Sequence, residues 1–150
     1  MMRHITVFIL VIVGTFIIDQ NIKSLFVNGY FLDGECISLE LHYNRGVAFS
    51  MFASLGEYVK WLQITLVTSV VGFIFYEGYI KKFAFPLGLL VGGAVGNIVD
   101  RFYHEGVVDY VAWHCGFNFA VFNYADVMID IAIVWILIAS YLEEKREKKT

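Results

Sequence analysis

Apolar residues run almost unbroken through four stretches of the chain, at about 4–26, 58–79, 84–102 and 124–143. Two longer and more polar stretches, 27–57 and 103–121, follow the first and the third. About 20 apolar residues make a membrane-crossing helix, so the pattern predicts an all-α membrane protein. It would be one polytopic domain over 1–150, with four transmembrane helices and outer loops at 27–57 and 103–121. The first apolar part, 5–18, is short for a span, and continuing the helix through Asp19, Gln20 and Lys23 supplies the length. Arg3 ahead of that run has the look of a signal peptide, but no small-x-small cleavage site follows it. The segment is read as a first helix that stays attached. In the first loop the period changes. Ile37, Leu39, Leu41 and Tyr43 alternate with Ser38, Glu40 and His42, the period of a half-buried strand. Asn44-Arg45-Gly46 is a turn signal, and 47–52 resumes as a short apolar run. A small extracytoplasmic β element resting on the membrane is expected there.

Composition supports the same class. The chain is 59% hydrophobic and 17% charged, with mean hydropathy +0.67, whereas soluble domains average about 45–50% and 25%. The net charge of −3 and the absence of a basic stripe exclude nucleic acid as a partner. Charge placement sets the expected topology. Arg3, Lys81, Lys82, Lys145, Arg146, Lys148 and Lys149 lie at the two ends and beside the short middle connection, so the positive-inside rule makes those regions, with both termini, cytoplasmic. Asp19, Asn44, Asn97, Asp100, Arg101, Asp109 and Asp126 then all fall toward the outer face.

Within the helices, Asp19 and Lys23 are four apart on one face, either a snorkelling helix end or a polar face turned to a site. The second helix carries only Gln63, Thr65, Thr68 and Ser69 as interior polar side chains and reads as scaffold. Gly88, Gly92 and Gly96 recur every four residues, a ridge for close helix packing. Asn97, Asp100 and Arg101 end the third helix, as a structural ion pair or as part of a site. Cys36 and Cys115, both in outer loops, allow a disulfide, although unpaired structural cysteines are the preferred reading and their redox state stays open.

The candidate chemistry lies in Asp109, set in Val107-Val108-Asp109-Tyr110, and Asp126, set in Phe122-Asn123-Tyr124-Ala125-Asp126. Carboxylates in such surroundings are costly unless used, and two that meet would share a proton and act as acid and base. Asp130, one turn beyond Asp126, is an alternative partner, and its role is open. There is no HExxH motif, no nucleophile elbow, and no P-loop or dinucleotide glycine pattern. Three readings remain from the residues alone: carboxylate catalysis, a proton-coupled transporter or channel subunit with a carboxylate relay, or structural pairing in a non-catalytic assembly subunit. A relay should spread across the membrane's depth, and these acids cluster at one face. The aromatic run Tyr110, Trp113, Phe117 and Phe119 suggests an interfacial lid.

Five stretches in chain order resemble the motifs of the prolipoprotein signal peptidase family, bacterial signal peptidase II. They are Asp19-Gln20 with Lys23; Asn44-Arg45-Gly46-Val47-Ala48-Phe49; Gly92-Gly93-Ala94-Val95-Gly96-Asn97-Ile98-Val99-Asp100-Arg101; Val107-Val108-Asp109-Tyr110; and Phe122-Asn123-Tyr124-Ala125-Asp126. The resemblance implies an aspartyl endopeptidase of the bacterial inner membrane. Such an enzyme cleaves diacylglyceryl-modified prolipoproteins just before the lipidated cysteine, with its active site near the periplasmic face. It implies Asp109 and Asp126 as the catalytic dyad. Gly96, Asn97, Asp100, Arg101, Asn123 and Ala125 would shape the site, and Asp19, Lys23 and Asn44 would support the site or the substrate. No metal or cofactor is implied. The implied partners are lipid-modified prolipoproteins, membrane lipids and the cyclic peptide inhibitor globomycin, with the enzyme a monomer. The first-loop strand would pair with the extended substrate by strand addition.

Overall fold

The computed structural model of the chain describes residues 1–46, 55–117 and 119–148. The apolar run at 47–52, and with it Val47-Ala48-Phe49 of the second motif, lies outside the described residues. Four helices are long and apolar enough to cross a membrane: α1 (Met2–Val27), α2 (Tyr58–Tyr76), α3 (Ile80–Tyr103) and α4 (Tyr124–Glu147). Two strands, β1 (Ile37–Asn44) and β2 (Val107–Trp113), complete the architecture. The helices agree with the apolar pattern except at the α2–α3 connection and at the end of α4, which runs on through the charged residues to Glu147. Lys81 and Lys82 belong to the first turn of α3, and the chain reverses at Glu77-Gly78-Tyr79, where Gly78 takes the left-handed φ of 70° that favours glycine. Pro86 removes one helical donor, and the non-helical Phe83 just before it marks a kink.

α3 is the buried helix. α1 and α4 pack along it, with α2 beside it, and a core of Phe8, Ile74, Ile80, Phe83, Leu87 and Val91 fills the end remote from the strands. The glycine ridge explains how α1 comes so close. A Cβ on Gly88 would stand 2.7 Å from Val11 Cβ, and one on Gly92 would stand 2.8 Å from Thr15 Cβ and 2.9 Å from the Ile12 carbonyl oxygen. Gly96 faces the Asp19 carboxylate in the same way, while Gly93 turns to α4, where a Cβ would be 2.7 Å from the Ala125 carbonyl oxygen.

The strand expected in the first loop is present, but its partner is in the second loop. β1 and β2 run antiparallel, with Ile37 opposite Trp113, His42 opposite Asp109 and Asn44 opposite Val107. A bulge interrupts the pairing between Leu39 and His42. The anticipated alternation of burial does not hold: Ser38 is buried on Asp33 and Gly34, while Ile37 and Tyr43 are exposed. The bulge shifts the pleat midway along the strand, and the outward apolar side chains of a sheet at a bilayer need no protein cover. The preference for unpaired cysteines is also corrected. Cys36 and Cys115 form a disulfide, and the His114 amide donates to the Cys36 carbonyl at 2.8 Å. Residues 79 apart meet because the sheet sets the start of β1 beside the end of β2.

Candidate active site

The strands and the sheet-facing ends of the helices enclose one polar network. Asn123 stands at its centre, fully buried, as the N-cap of α4. Its side-chain oxygen accepts the Asp126 amide at 2.9 Å, and the Asp126 carboxylate accepts the Asn123 amide at 3.2 Å, a reciprocal capping box. The Asn123 side-chain amide donates to Asp109 Oδ1 at 2.7 Å and also lies within reach of Asn97 Oδ1 and the Val108 carbonyl. One residue therefore touches both aspartates.

Asp109 is 2% exposed. Its second oxygen accepts from the Asn44 side chain at 3.1 Å. Burial pushes its pKa up to about 7, helped by the nearby Asp126 charge and opposed by the hydrogen bonds from Asn44 and Asn123. Asp126 Oδ1 accepts from the Asn97 side chain at 2.8 Å, and its place in the first turn of α4 favours an anion. Both aspartates line a cavity of about 420 Å³, which Asn44, Gln63, Asn97, Arg101, Phe122 and Ile129 also help to form. Asp130 reaches the same wall, but it is exposed and forms no hydrogen bond or ion pair among the described residues, so it is not the buried partner of Asp109.

Beneath the aspartates Lys23 spends all three ammonium donors. It binds Asp19 at 2.8 Å, Asp100 at 2.7 Å and Asn97 Oδ1 at 2.9 Å, and is itself 2% exposed. The polar face of α1 is therefore turned inward rather than snorkelling. Gln20 bridges Asp19 and Asp100, and Asp100 also accepts the Val108 amide at 3.0 Å, which ties β2 to α3. The pairing of Asp100 with Arg101 does not occur. Asp100 takes Lys23, and Arg101 donates to the carbonyls of Asn44, Arg45 and Gly46 and to Gln63 Oε1 at 2.7 Å. The guanidinium thus holds the turn that presents Asn44 to Asp109.

Every residue singled out in the sequence for this site joins the network or packs against it. Gly96 abuts the Asp19 carboxylate, and Ala125 is fully buried against Gly93. Four contributors were missed. Gln63 lies on the helix read as scaffold, yet it anchors Arg101. Gln20 carries a motif signal but had been given no role. Tyr110 leaves the expected lid: it is 5% exposed, stacks on Phe26 with ring centroids 4.1 Å apart, and accepts the Tyr124 amide at its hydroxyl. Trp113, Phe117 and Phe119 stay exposed. Gly106 is the fourth, since a Cβ there would stand 2.5 Å from the Asn44 carbonyl oxygen and 2.7 Å from its carbon. Backbone cannot swing aside, so Gly106→Ala is expected to push Asn44 off Asp109. A fall in kcat/KM on the order of a hundredfold, with helical circular dichroism unchanged, is the result to look for.

Comparison with known proteins gives the family of the chain. The family model of signal peptidase (SPase) II matches residues 11–142. The lipoprotein signal peptidase of Sulfurovum sp. (strain NBC37-1) is 61% identical over 93% of this chain and 96% of its own length. That of Sulfurimonas denitrificans is 60% identical over 93% and 90%. A bacterial membrane enzyme solved by the in meso method at 2.3 Å resolution superposes with a TM-score of 0.81 at 25% identity, covering 95% of this chain and 92% of that one. The family match and the four membrane-spanning helices thus define a membrane-embedded protease of the aspartic type. The chain belongs to the signal peptidase II family, as a multi-pass protein of the bacterial inner membrane.

Proposed function

We propose that this protein removes the signal peptide from diacylglyceryl-modified prolipoproteins, cutting just before the lipidated cysteine, with Asp109 and Asp126 as the catalytic pair. The observation that carries this reading is the placement of two aspartates from separate elements in one cavity, both bound to Asn123, with the pKa of Asp109 raised to about 7. Near neutral pH such a pair holds one proton. Asp126, at the helix N-terminus, carries the charge and takes a proton from water as the water oxygen attacks the scissile carbonyl. Asp109 gives its proton to the departing cysteine nitrogen as the carbon–nitrogen bond breaks.

The surroundings suit a substrate with one end in lipid. From the dyad cavity, Gln63, Asn97 and Ile129 lead into an apolar furrow of about 270 Å³ with Leu66, Val67, Val70 and Leu90 on its walls. It would take part of the signal peptide's apolar segment, while the diacylglycerol remains in the bilayer. The disulfide supports placing both loops, and the site, on the oxidising outer side of the membrane, with the termini inside. Membrane lipids and globomycin belong to this proposal as ligands of the site, and a monomer as its working state.

The test is a gel-shift assay. Purified protein in detergent should shorten a diacylglyceryl-modified prolipoprotein and leave the unlipidated precursor whole, and an uncut lipidated substrate would refute the reading. The pH dependence has a definite sign. Asp109 binds its proton more tightly in the folded protein than a free carboxyl does, so its stabilising contribution is complete below the ordinary carboxyl range and is lost as pH rises to about 7. kcat/KM is expected to fall above an apparent pKa near 7 that belongs to the pair. The melting temperature of Asp109→Asn should gain on that of wild type as pH rises from 5 to 8; a difference that does not change with pH would contradict the assignment.

A further inference from the structure

The cleft at the dyad has a second arm. A pocket of about 350 Å³ shares Asn44, Asp109 and the 119–121 segment with the catalytic cavity but extends along β1, which supplies His42 and Tyr43. A polypeptide with its scissile bond at Asp109 must leave in two directions. On the peptidase reading above, the arm that continues into the apolar furrow takes the signal-peptide side. The arm along β1 is then left for the residues downstream of the cut.

The chemistry of that arm is specific. His42 lies opposite Asp109 in the strand register, directly after the bulge, a feature that re-aims side chains beside active sites. His42 Nε2 meets Glu40 Oε1 at 2.9 Å. A carboxylate only accepts, so in the tautomer that binds it Nε2 carries the proton and Nδ1 is an acceptor. His42 thus offers this arm an acceptor, with the Glu40 carboxylate bound to the same ring. Arg101, the cation of the catalytic cavity, does not line this arm.

We infer that the Glu40–His42 pair is the polar wall of a subsite for the first residue after the lipidated cysteine, where it selects a hydrogen-bond-donating side chain over an acidic one. A serine there donates to His42, whereas an aspartate brings a second negative charge beside Glu40.

The test uses three diacylglyceryl-modified prolipoproteins that differ only in the residue after the cysteine: glycine, serine or aspartate. Wild type should show kcat/KM about tenfold higher for serine than for aspartate. Glu40→Gln should shrink that ratio toward one by relieving the charge conflict, and His42→Ala should shrink the serine-to-glycine ratio. Each ratio is taken within one variant, so a partly misfolded preparation does not disturb it. Equal kcat/KM for all three substrates in wild type, or ratios unchanged in both variants, would overturn the subsite and leave the peptidase reading standing. Failure of wild type to cut any of them would remove the peptidase reading and the subsite with it.

Discussion

Asp109→Asn and Asp126→Asn will each lower turnover of a lipidated prolipoprotein by about a thousandfold or more, while the protein stays folded. Asparagine keeps the size and one oxygen acceptor but cannot exchange a proton, and positioned acid–base groups contribute about 10²–10⁴ each. On the proposed mechanism the two losses should not multiply in the double variant, because both aspartates serve one proton exchange and are bound to the same Asn123. Asp130→Asn is the comparison. It removes a charge from the same cavity wall without touching Asn123, Asn97 or Asn44, and should retain cleavage. A thousandfold loss for Asp130→Asn, with Asp126→Asn active, would move the pair one turn along α4.

Lys23→Met will have the largest effect on stability. Lys23 is buried between Asp19 and Asp100 and is the one ammonium both carboxylates share. Removing one member of a buried ion network costs about 3–5 kcal/mol, chiefly because the remaining charges are left without a partner. The effect should be large for Asp19, which has an oxygen buried without a hydrogen bond even in the native protein. Replacing Asp19 by leucine in the same molecule should recover part of the loss. Thermal unfolding in detergent measures both, and a melting temperature within a degree or two of wild type for Lys23→Met would show that the network is not a structural element.

The sequence made some of these features legible and hid others, for identifiable reasons. Helices were readable because a bilayer demands long apolar runs, and the α1–α3 contact because glycines four apart leave a mark. The Asp19–Lys23 pair follows from helical spacing. Asp100 joining it does not, since nothing local in α3 refers to α1. β2 was missed because Val107–Trp113, buried over most of its length, lacks the alternation that betrayed β1, and its partner is some seventy residues away. The disulfide follows from that pairing and not from cysteine spacing. Arg101 was placed at the site but its contacts stayed open, because its partners are mainly backbone carbonyls, which no side chain announces. Gln63 looked idle on a membrane helix because its purpose lies in the Arg101 contact. The two aspartates stood out as acids in apolar surroundings, but their meeting through Asn123 became visible only with the α4 cap.

A single turnover in H₂¹⁸O most directly tests the proposed activation of water by the paired aspartates. With enzyme in excess over a lipidated prolipoprotein, the new carboxyl terminus of the released signal peptide is examined by mass spectrometry. Direct attack predicts one ¹⁸O in that carboxylate from the first turnover. A first-turnover product carrying only ¹⁶O would mean that an enzyme carboxylate had supplied the oxygen through a covalent intermediate, and would contradict the account.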